Sequence, residues 1–319
     1  MRKGAVTAAV LSGAILCLGG GLLWARWKAG RVKPPPLHAT LEELRRIDPR
    51  LVIAREEGRL DAVVSRPRAL AAGPDGVVYV AGEAELVRLG ADGAPAARRP
   101  LPGPASALAA DRDGTVYLAF RDHVEVLDPR GETKAVWERP DPAAWITSIA
   151  VGGESVYVAD FGRRTVLRYD RAGRLQGAIR PPDGGFLIPS PWFDVAADRE
   201  GNLWVAHTGS HRLERYRPDG TRVSSWGEKS ARIEGFSGCC NPAHFAIRPD
   251  GSFVTSEKGL VRIKLHGAGG DFLGVVAGPG DFAGTEAAPE VAADGDGRIL
   301  VLDPAAGRIR IYGVVRTAR

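Results

Sequence analysis

The stretch "FSGCCNPAHFA", residues 236–246, places two adjacent thiols and an imidazole close together in a chain of 319 residues that has only three cysteines. Zinc sites space their cysteines by two to four residues, and the chain has no second pair, so a structural zinc site is disfavoured. Three alternatives remain: a disulfide between Cys239 and Cys240, two free thiols, or a copper-binding Cys-Cys-His group with His244. Gly238 and Asn241-Pro242 are turn formers, which favours a tight turn closed by the disulfide.

Three more distant residues, Asp194, His244 and Glu290, form the second candidate site. Two carboxylates and an imidazole suit a divalent metal, with open coordination positions left for water. The alternative is that these side chains hydrogen-bond to water in a polar channel. Either interpretation requires a fold that brings the three residues together.

A repeated pattern predicts that fold. Each copy has a short apolar strand, a glycine turn, a strand ending in V-Y-V-A or a relative, another turn and a third strand. The copies span residues 68–93, 106–131, 148–173, 194–220, 244–270 and 290–313. Alternating apolar residues with turns between them indicate small antiparallel sheets, which must pack against neighbours to bury their faces. The sequence therefore predicts an all-β fold, a six-bladed β-propeller.

The ends of the repeat region predict how the ring closes. Copies one to five are each followed by a candidate outer strand, whereas only "VVRTAR" follows the sixth. The segment "EEGRLDAVVSRP", residues 56–67, has the pattern of an outer strand without inner strands before it. We therefore expect it to supply the outer strand of the last blade, which removes a free sheet edge.

The innermost strand of each blade should line the central channel. Aligning the copies on the turn glycine gives one channel-entry residue per blade: Ala69, Ala107, Ser148, Asp194, His244 and Glu290. The loops on the same face add aromatic residues, and we predict a binding face for a protein partner or small ligand there. Its residues are Trp145, Trp192, Phe193, Cys239, Cys240 and Asn241. The alternative is that the aromatic side chains pack between blades.

The repeats resemble the NHL family of propellers, most closely in "SIAVGGESVYVADFGRRTVLRYD" (148–170) and "NLWVAHTGSHRLERY" (202–216). The resemblance covers residues 50–315. It implies the propeller fold, but NHL propellers serve as protein-binding modules, extracellular sensors, nucleic-acid binders and, rarely, enzymes. The chain is also similar in fold to NHL-fold lyases and lactonase propellers, and this resemblance implies a metal at the channel mouth. The carboxylate and Asn ligands of the lactonases are not reproduced here. The whole chain also resembles bacterial membrane-anchored NHL proteins of unassigned function that carry a G-C-C-N-P stretch.

The N-terminal segment predicts a membrane anchor. Residues 4–25 carry no charge, and such a helix spans roughly 30 Å of hydrocarbon. We predict an anchor or signal-anchor in residues 1–25, a juxtamembrane linker in 26–50 and the propeller in 51–319. A cleaved signal peptide is the alternative. The propeller is expected on the periplasmic or extracellular side of a bacterial inner membrane, held by a single span.

Charge and missing motifs narrow the function. The formal net charge is +5, but basic residues of the body are scattered among acidic ones, which argues against a nucleic-acid surface. The chain carries no phosphate loop, dinucleotide fingerprint or Ser-His-Asp grouping. The predicted function is a membrane-anchored, extracytoplasmic scaffold that binds a protein or ligand. The alternatives are a metal-dependent lyase or hydrolase at the channel mouth, with a divalent metal as cofactor, and an accessory subunit of a membrane redox complex that uses the cysteine pair.

Overall fold

The computed structural model describes residues 40–61, 64–138, 141–182, 184–283 and 288–315. The described chain opens with a short helix, α1 (Leu41–Arg45), whose N-terminus is held by a reciprocal hydrogen-bonded cap between Thr40 and Glu43. A 3-10 turn (Pro49–Leu51) leads into strand β1 (Ala54–Leu60). The expected membrane anchor lies outside the described residues. Within them, no helix is both long enough and apolar enough to span a bilayer.

All remaining strands belong to a succession of small antiparallel sheets, which we number as blades in chain order. Blade 1 contains β2 (Ala69–Ala72), β3 (Val78–Ala81), β4 (Glu85–Leu89) and β5 (Pro95–Pro100). Blade 2 contains β6 (Ala107–Ala110), β7 (Val116–Ala119), β8 (Val124–Leu127) and β9 (Thr133–Trp137). Blade 3 contains β10 (Ile146–Gly152), β11 (Ser155–Asp160), β12 (Thr165–Asp170) and β13 (Leu175–Ile179).

The second half of the ring repeats the arrangement. Blade 4 contains β14 (Val195–Ala197), β15 (Leu203–His207), β16 (Arg212–Tyr216) and β17 (Arg222–Trp226). Blade 5 contains β18 (His244–Ile247), β19 (Phe253–Ser256), β20 (Ile263–His266) and β21 (Phe272–Ala277). Blade 6 contains β22 (Glu290–Ala293), β23 (Ile299–Asp303) and β24 (Arg308–Val314), with β1 as its fourth, outer strand.

The pairing of β1 with β24 closes the ring. The two strands run antiparallel from the Ala54–Val314 pair to the Leu60–Ile309 pair, with an irregularity between Glu56 and Gly58. The prediction that the N-terminal segment completes the last blade is therefore confirmed. The strand ends at Leu60 rather than reaching residue 67, because the chain must then cross from the outer edge of blade 6 to the innermost strand of blade 1.

The core lies between blades. Six clusters of buried apolar side chains in the described residues each join two neighbouring blades, so every blade interface around the ring has one. Aromatic pairs bridge two of these interfaces: Trp137 stacks on Tyr169 with ring centroids 5.3 Å apart, and Trp204 meets Phe253 edge to face at 4.7 Å. A four-stranded sheet buries each face only against the next blade, so the six-bladed β-propeller follows from the repeat pattern.

The turn glycines confirm the alignment of the repeats. All six adopt the left-handed backbone conformation, with φ between 56° and 82°, which glycine reaches without a steric penalty. They are Gly76, Gly114, Gly153, Gly201, Gly251 and Gly297.

Candidate functional site

A cavity of about 380 Å³ opens where the loops enter the innermost strands. Each of the six blades contributes to its lining. One residue from each blade, in order, is Arg68, Ser106, Trp145, Trp192, His244 and Glu290. The cavity therefore lies at the mouth of the central channel, on the face that the sequence analysis selected.

Asp194 holds three blades together at this mouth. Its Oδ1 accepts hydrogen bonds from the Ser148 hydroxyl (2.5 Å) and from the backbone N–H of Val195 (2.9 Å). Its Oδ2 accepts the backbone N–H of Phe245 in blade 5 at 2.9 Å. Both oxygens are thus used in fixing the entry strands of blades 3, 4 and 5.

Glu290 performs the same task between blade 6 and blade 1. Its Oε2 accepts the backbone N–H of Leu70 at 3.0 Å, while part of its surface lines the cavity. Burial raises the pKa of Glu290 well above its usual value, the negative charge of Asp194 adds to the rise, and the Leu70 N–H opposes it. The carboxyl group is therefore biased toward its neutral, proton-donating form.

The predicted metal ligands only partly converge. His244 Nδ1 lies 3.6 Å from Asp194 Oδ2, beyond hydrogen-bond distance, and Glu290 is bonded across to blade 1. In the part of the chain that the structure describes, no three His, Cys, Asp or Glu side chains form a group that could hold a metal ion. Backbone N–H groups already bond both oxygens of Asp194 and one oxygen of Glu290, so the metal site stays a prediction.

Two tryptophans form the aromatic wall of the cavity. The Trp145 ring meets Phe161 edge to face at 5.1 Å and is covered by the guanidinium of Arg121, 4.0 Å from the ring centroid. The Trp192 ring meets His244 edge to face at 5.2 Å. Both indoles are half-buried, and both line the cavity.

Two other residues predicted for the binding face do not reach it, and this corrects the prediction. Phe193 is only 1% exposed, because its ring packs on Phe186 in the core between blades 3 and 4. Asn241 is also 1% exposed: its side chain donates to the carbonyls of Ser237 and Lys258 and accepts the Lys258 N–H. Its role is to fasten the cysteine loop to blade 5.

The entry loops are held by acceptors at one position of the repeat, directly after or at the end of the second strand. Asp160 accepts the N–H of Trp145 at 3.0 Å, His207 Nε2 accepts that of Leu187 at 2.7 Å, and Glu257 accepts that of Ser237 at 3.0 Å. These positions align in the sequence, but their residue types differ too much to mark them as supports of the site. They place Trp145, the Trp192 loop and the cysteine loop.

His207 also faces a buried carboxylate. Because its Nε2 accepts the Leu187 N–H, its proton sits on Nδ1, which lies 3.0 Å from Glu214 Oε1. Burial opposes ionisation of Glu214, but hydrogen bonds from His207 and Tyr216, with Arg212 alongside, lower its pKa to about 2. Glu214 is therefore charged at neutral pH.

A buried charge cluster lies beneath the cysteine loop. Lys264 and Glu257 are fully buried and 2.9 Å apart, and Arg262 donates to the same carboxylate. Burial would raise the pKa of Glu257, but the charges of Lys264 and Arg262 outweigh it and lower the pKa to about 2. Burial lowers the pKa of Lys264 to about 8. Lys264 also donates to the carbonyls of Ile233 and Gly235 in the loop.

The two cysteines are unbridged in this structure, so the disulfide between them stays a prediction. Their sulfur atoms lie 3.0 Å apart, longer than the roughly 2.05 Å of a disulfide bond. Cys239 is exposed and Cys240 is buried. The pair lies beside the cavity rather than in it: Lys258, whose side chain approaches the ring of Trp192 at 5.7 Å, stands between the thiol loop and the aromatic wall.

Fold and site together define a six-bladed β-propeller with a ligand-sized cavity at one channel mouth. No protein-family model matches the chain, and no curated protein sequence matches it. Solved structures do. A streptogramin B lyase is 12% identical over 82% of this chain and 98% of its own, with a TM-score of 0.56. The selenomethionine form of virginiamycin B lyase from Staphylococcus aureus is 14% identical over 82% of this chain and 100% of its own, with a TM-score of 0.56.

A third similar structure is a protein of unknown function from Bacteroides caccae, which is 14% identical over 71% of this chain and 85% of its own, with a TM-score of 0.55. At such identities the likeness shows the fold alone. The resemblance to NHL repeats is therefore confirmed at the level of the six-bladed propeller and not at the level of the family.

Proposed function

We propose that this protein is a membrane-anchored, extracytoplasmic propeller that binds a small ligand, or a segment of a partner protein, in the cavity at its channel mouth. One observation carries the proposal: all six blades supply residues to one cavity of about 380 Å³. Ligand pockets of folded proteins measure roughly 300–1,000 Å³ and combine apolar walls with a few oriented polar groups. The charge-free residues 4–25 and the Pro-rich residues 31–40 support the anchored location.

The lining suggests the chemistry of the ligand. The two indoles offer flat apolar surface to an aromatic or planar group. His244 in blade 5 offers an imidazole, and Glu290 in blade 6 offers a carboxyl group that is biased toward its neutral form. Since backbone hydrogen bonds already hold Glu290, and aromatic contact holds Trp192 against His244, the site is preorganised for binding.

The test is a ligand-observed NMR screen of aromatic fragments bearing amide, amine or carboxylate groups, on the full-length protein in nanodiscs. A fragment that binds in the cavity should show a change in its NMR signal with the unmodified protein. This change should be lost with the Trp192→Ala variant and with the Trp145→Ala variant. The control is Val136→Ser, which alters a side chain that is 54% exposed on the outer strand of blade 2. Fragments that bind equally to all four proteins would place the binding site elsewhere and overturn the proposal.

A metal-dependent lyase or hydrolase is a second candidate, favoured by the imidazole and the carboxyl group on one cavity. Such a pair can transfer protons in a general acid–base step, and two of the similar structures are those of lyases. Metal analysis of the full-length protein beside His244→Ala tests it. One metal per chain that is lost in the variant would support this candidate. A metal-free protein would contradict it and leave ligand binding as the proposed function.

A further inference from the structure

The cysteine pair has the layout of a reactive dithiol rather than of a structural bridge. Cys239 is exposed, Cys240 is buried, and their sulfurs are 3.0 Å apart. An incoming molecule can therefore reach the first sulfur but not the second. The second sulfur is already placed against the first.

The loop holds the two thiols in this position from both sides. Before the pair, the N–H and hydroxyl of Ser237 donate to Glu257, and Gly238 takes a left-handed conformation, with φ of 76°, that turns the chain. After the pair, Asn241 exchanges hydrogen bonds with the backbone of Lys258. Both anchors belong to the segment that leaves strand β19, so the thiols rest on a fixed support.

The surroundings of the two sulfurs differ, and the difference divides their roles. Burial would raise the pKa of the Cys240 thiol, but hydrogen bonds from Cys239 and Ser190 and the charge of Lys258 lower it. The hydrogen bond to Cys240 raises the pKa of Cys239, and partial burial adds to this. Cys240 is therefore the more acidic partner, and its thiolate can accept the proton of Cys239 when Cys239 reacts.

We propose that Cys239 and Cys240 form a thiol–disulfide exchange site, with Cys239 as the entry thiol, Cys240 as the resolving thiol and an external disulfide as the oxidising substrate. Cys239 transfers its proton to the Cys240 thiolate and attacks one sulfur of the substrate R–S–S–R. The substrate bond breaks and one thiolate RS⁻ leaves. Cys240 then passes its proton to this RS⁻, attacks the Cys239 sulfur of the mixed disulfide and expels the second RS⁻. Two electrons pass from the pair to the substrate, which leaves as one thiol and one thiolate, and the thiolate takes its proton from water.

In the test, the full-length protein is equilibrated with mixtures of reduced and oxidised glutathione. It carries Cys17→Ser, so that Cys239 and Cys240 are the only thiols that can be counted. Acid quenching, alkylation and mass spectrometry then count free thiols. The pair should pass from two alkylated thiols to one internal disulfide as oxidised glutathione increases, and excess reduced glutathione should reverse this. A pair that stays fully alkylated across the whole range would overturn the proposal.

Two single variants separate the roles. Cys240→Ser should accumulate a mixed disulfide between Cys239 and glutathione, because the resolving thiol is missing. In Cys239→Ser, the buried Cys240 should react about tenfold more slowly than Cys239 does in Cys240→Ser, since access controls thiol reactivity. Equal rates in the two variants would contradict the division into entry and resolving thiols. This test does not depend on whether the cavity binds a ligand.

Discussion

At the scale of single residues, one aligned position of the repeat explains how the site is built. Asp160, His207 and Glu257 differ in chemistry, but each accepts a backbone N–H from the loop that enters its blade. In blades 1 and 2 the aligned residues are Gly82 and Phe120, which carry no acceptor side chain. In blade 6 the aligned Asp303 accepts the N–H of Ala306 in the turn that follows it, rather than one from the entry loop. The supports of the entry loops therefore belong to the blades that carry Trp145, Trp192 and the thiols.

Removing the imidazole of His207 should destabilise the fold. His207→Ala leaves the Leu187 N–H without its acceptor and Glu214 without one donor, and we expect the free energy of unfolding to fall by about 1–3 kcal/mol. His207→Asp introduces the residue found at the aligned position of blade 3, Asp160, but it places a second carboxylate beside the charged Glu214. It should therefore be less stable than His207→Ala.

Urea unfolding of the full-length protein and both variants, followed by circular dichroism, checks the order of stabilities. The free energies of unfolding are compared at neutral pH, where Glu214 is ionised. If His207→Asp were as stable as the unmodified protein, the proposed interaction between His207 and Glu214 would be wrong.

At the scale of elements, the connection between β17 and β18 is the segment most dependent on buried charge. Lys264 donates to its backbone at Ile233 and Gly235, and Glu257 accepts from its Ser237. In the sequence, Lys264 lies between two apolar residues of a strand, an alternation that predicts a solvent-exposed side chain. Its burial follows only from the loop that folds over it, because the loop carbonyls replace the water that an ammonium needs.

Glu257→Gln should leave Lys264 and Arg262 as buried charges without a counter-ion. Breaking a buried pair in this way costs about 3–5 kcal/mol. The contribution of Glu257 depends on pH, because its pKa is lowered to about 2 from the usual 4.5. A lowered carboxyl pKa stabilises the fold above the unfolded value and loses this effect as the pH falls through the folded one.

The difference in unfolding free energy between the two proteins should therefore be full above pH 4.5 and shrink as the pH falls toward 2. Denaturant unfolding at a series of pH values measures it. Glu200→Gln is the control, because that side chain is 69% exposed, and it should change stability by less than about 0.5 kcal/mol. A difference that is independent of pH would show that Glu257 is not ionised in the folded protein.

At the scale of the whole molecule, the ring is held by apolar contacts between blades and is closed by one pair of strands. Residues 54–60 and 308–314 lie far apart in the chain and meet in the β1–β24 ladder. Blade 6 would otherwise leave β24 as an unpaired edge. Closure of this kind ties every blade interface to the others, so we expect the propeller to unfold cooperatively.

A covalent bond at this seam should stabilise the ring. Ala54 and Val314 are paired across the ladder, and Ala54→Cys with Val314→Cys would link them if Cys17, Cys239 and Cys240 are changed to Ser. The long closed loop reduces the entropy of the unfolded chain, which is worth about 2–4 kcal/mol.

The comparison is between oxidised and reduced forms of this one variant, with single Val314→Cys as the control for the substitution. Thermal unfolding should occur at a higher temperature in the oxidised form. No increase, with the bond shown to be formed by mass spectrometry, would mean that this strand pair does not limit unfolding.

The number of blades, the turn glycines, the closing strand and the face on which the cavity lies could all be predicted from the amino-acid sequence. Each of these depends on local chemistry: strand alternation and glycine turns are encoded within one repeat. The role of the channel-entry residues could not be predicted in this way. Glu290 accepts the N–H of Leu70, 220 residues away, and Asp194 Oδ2 accepts the N–H of Phe245, 51 residues away. The burial of Phe193 between blades 3 and 4 has the same cause, because contacts between blades leave no pattern in the sequence. The charged cluster under the cysteine loop is buried because that loop folds over blade 5.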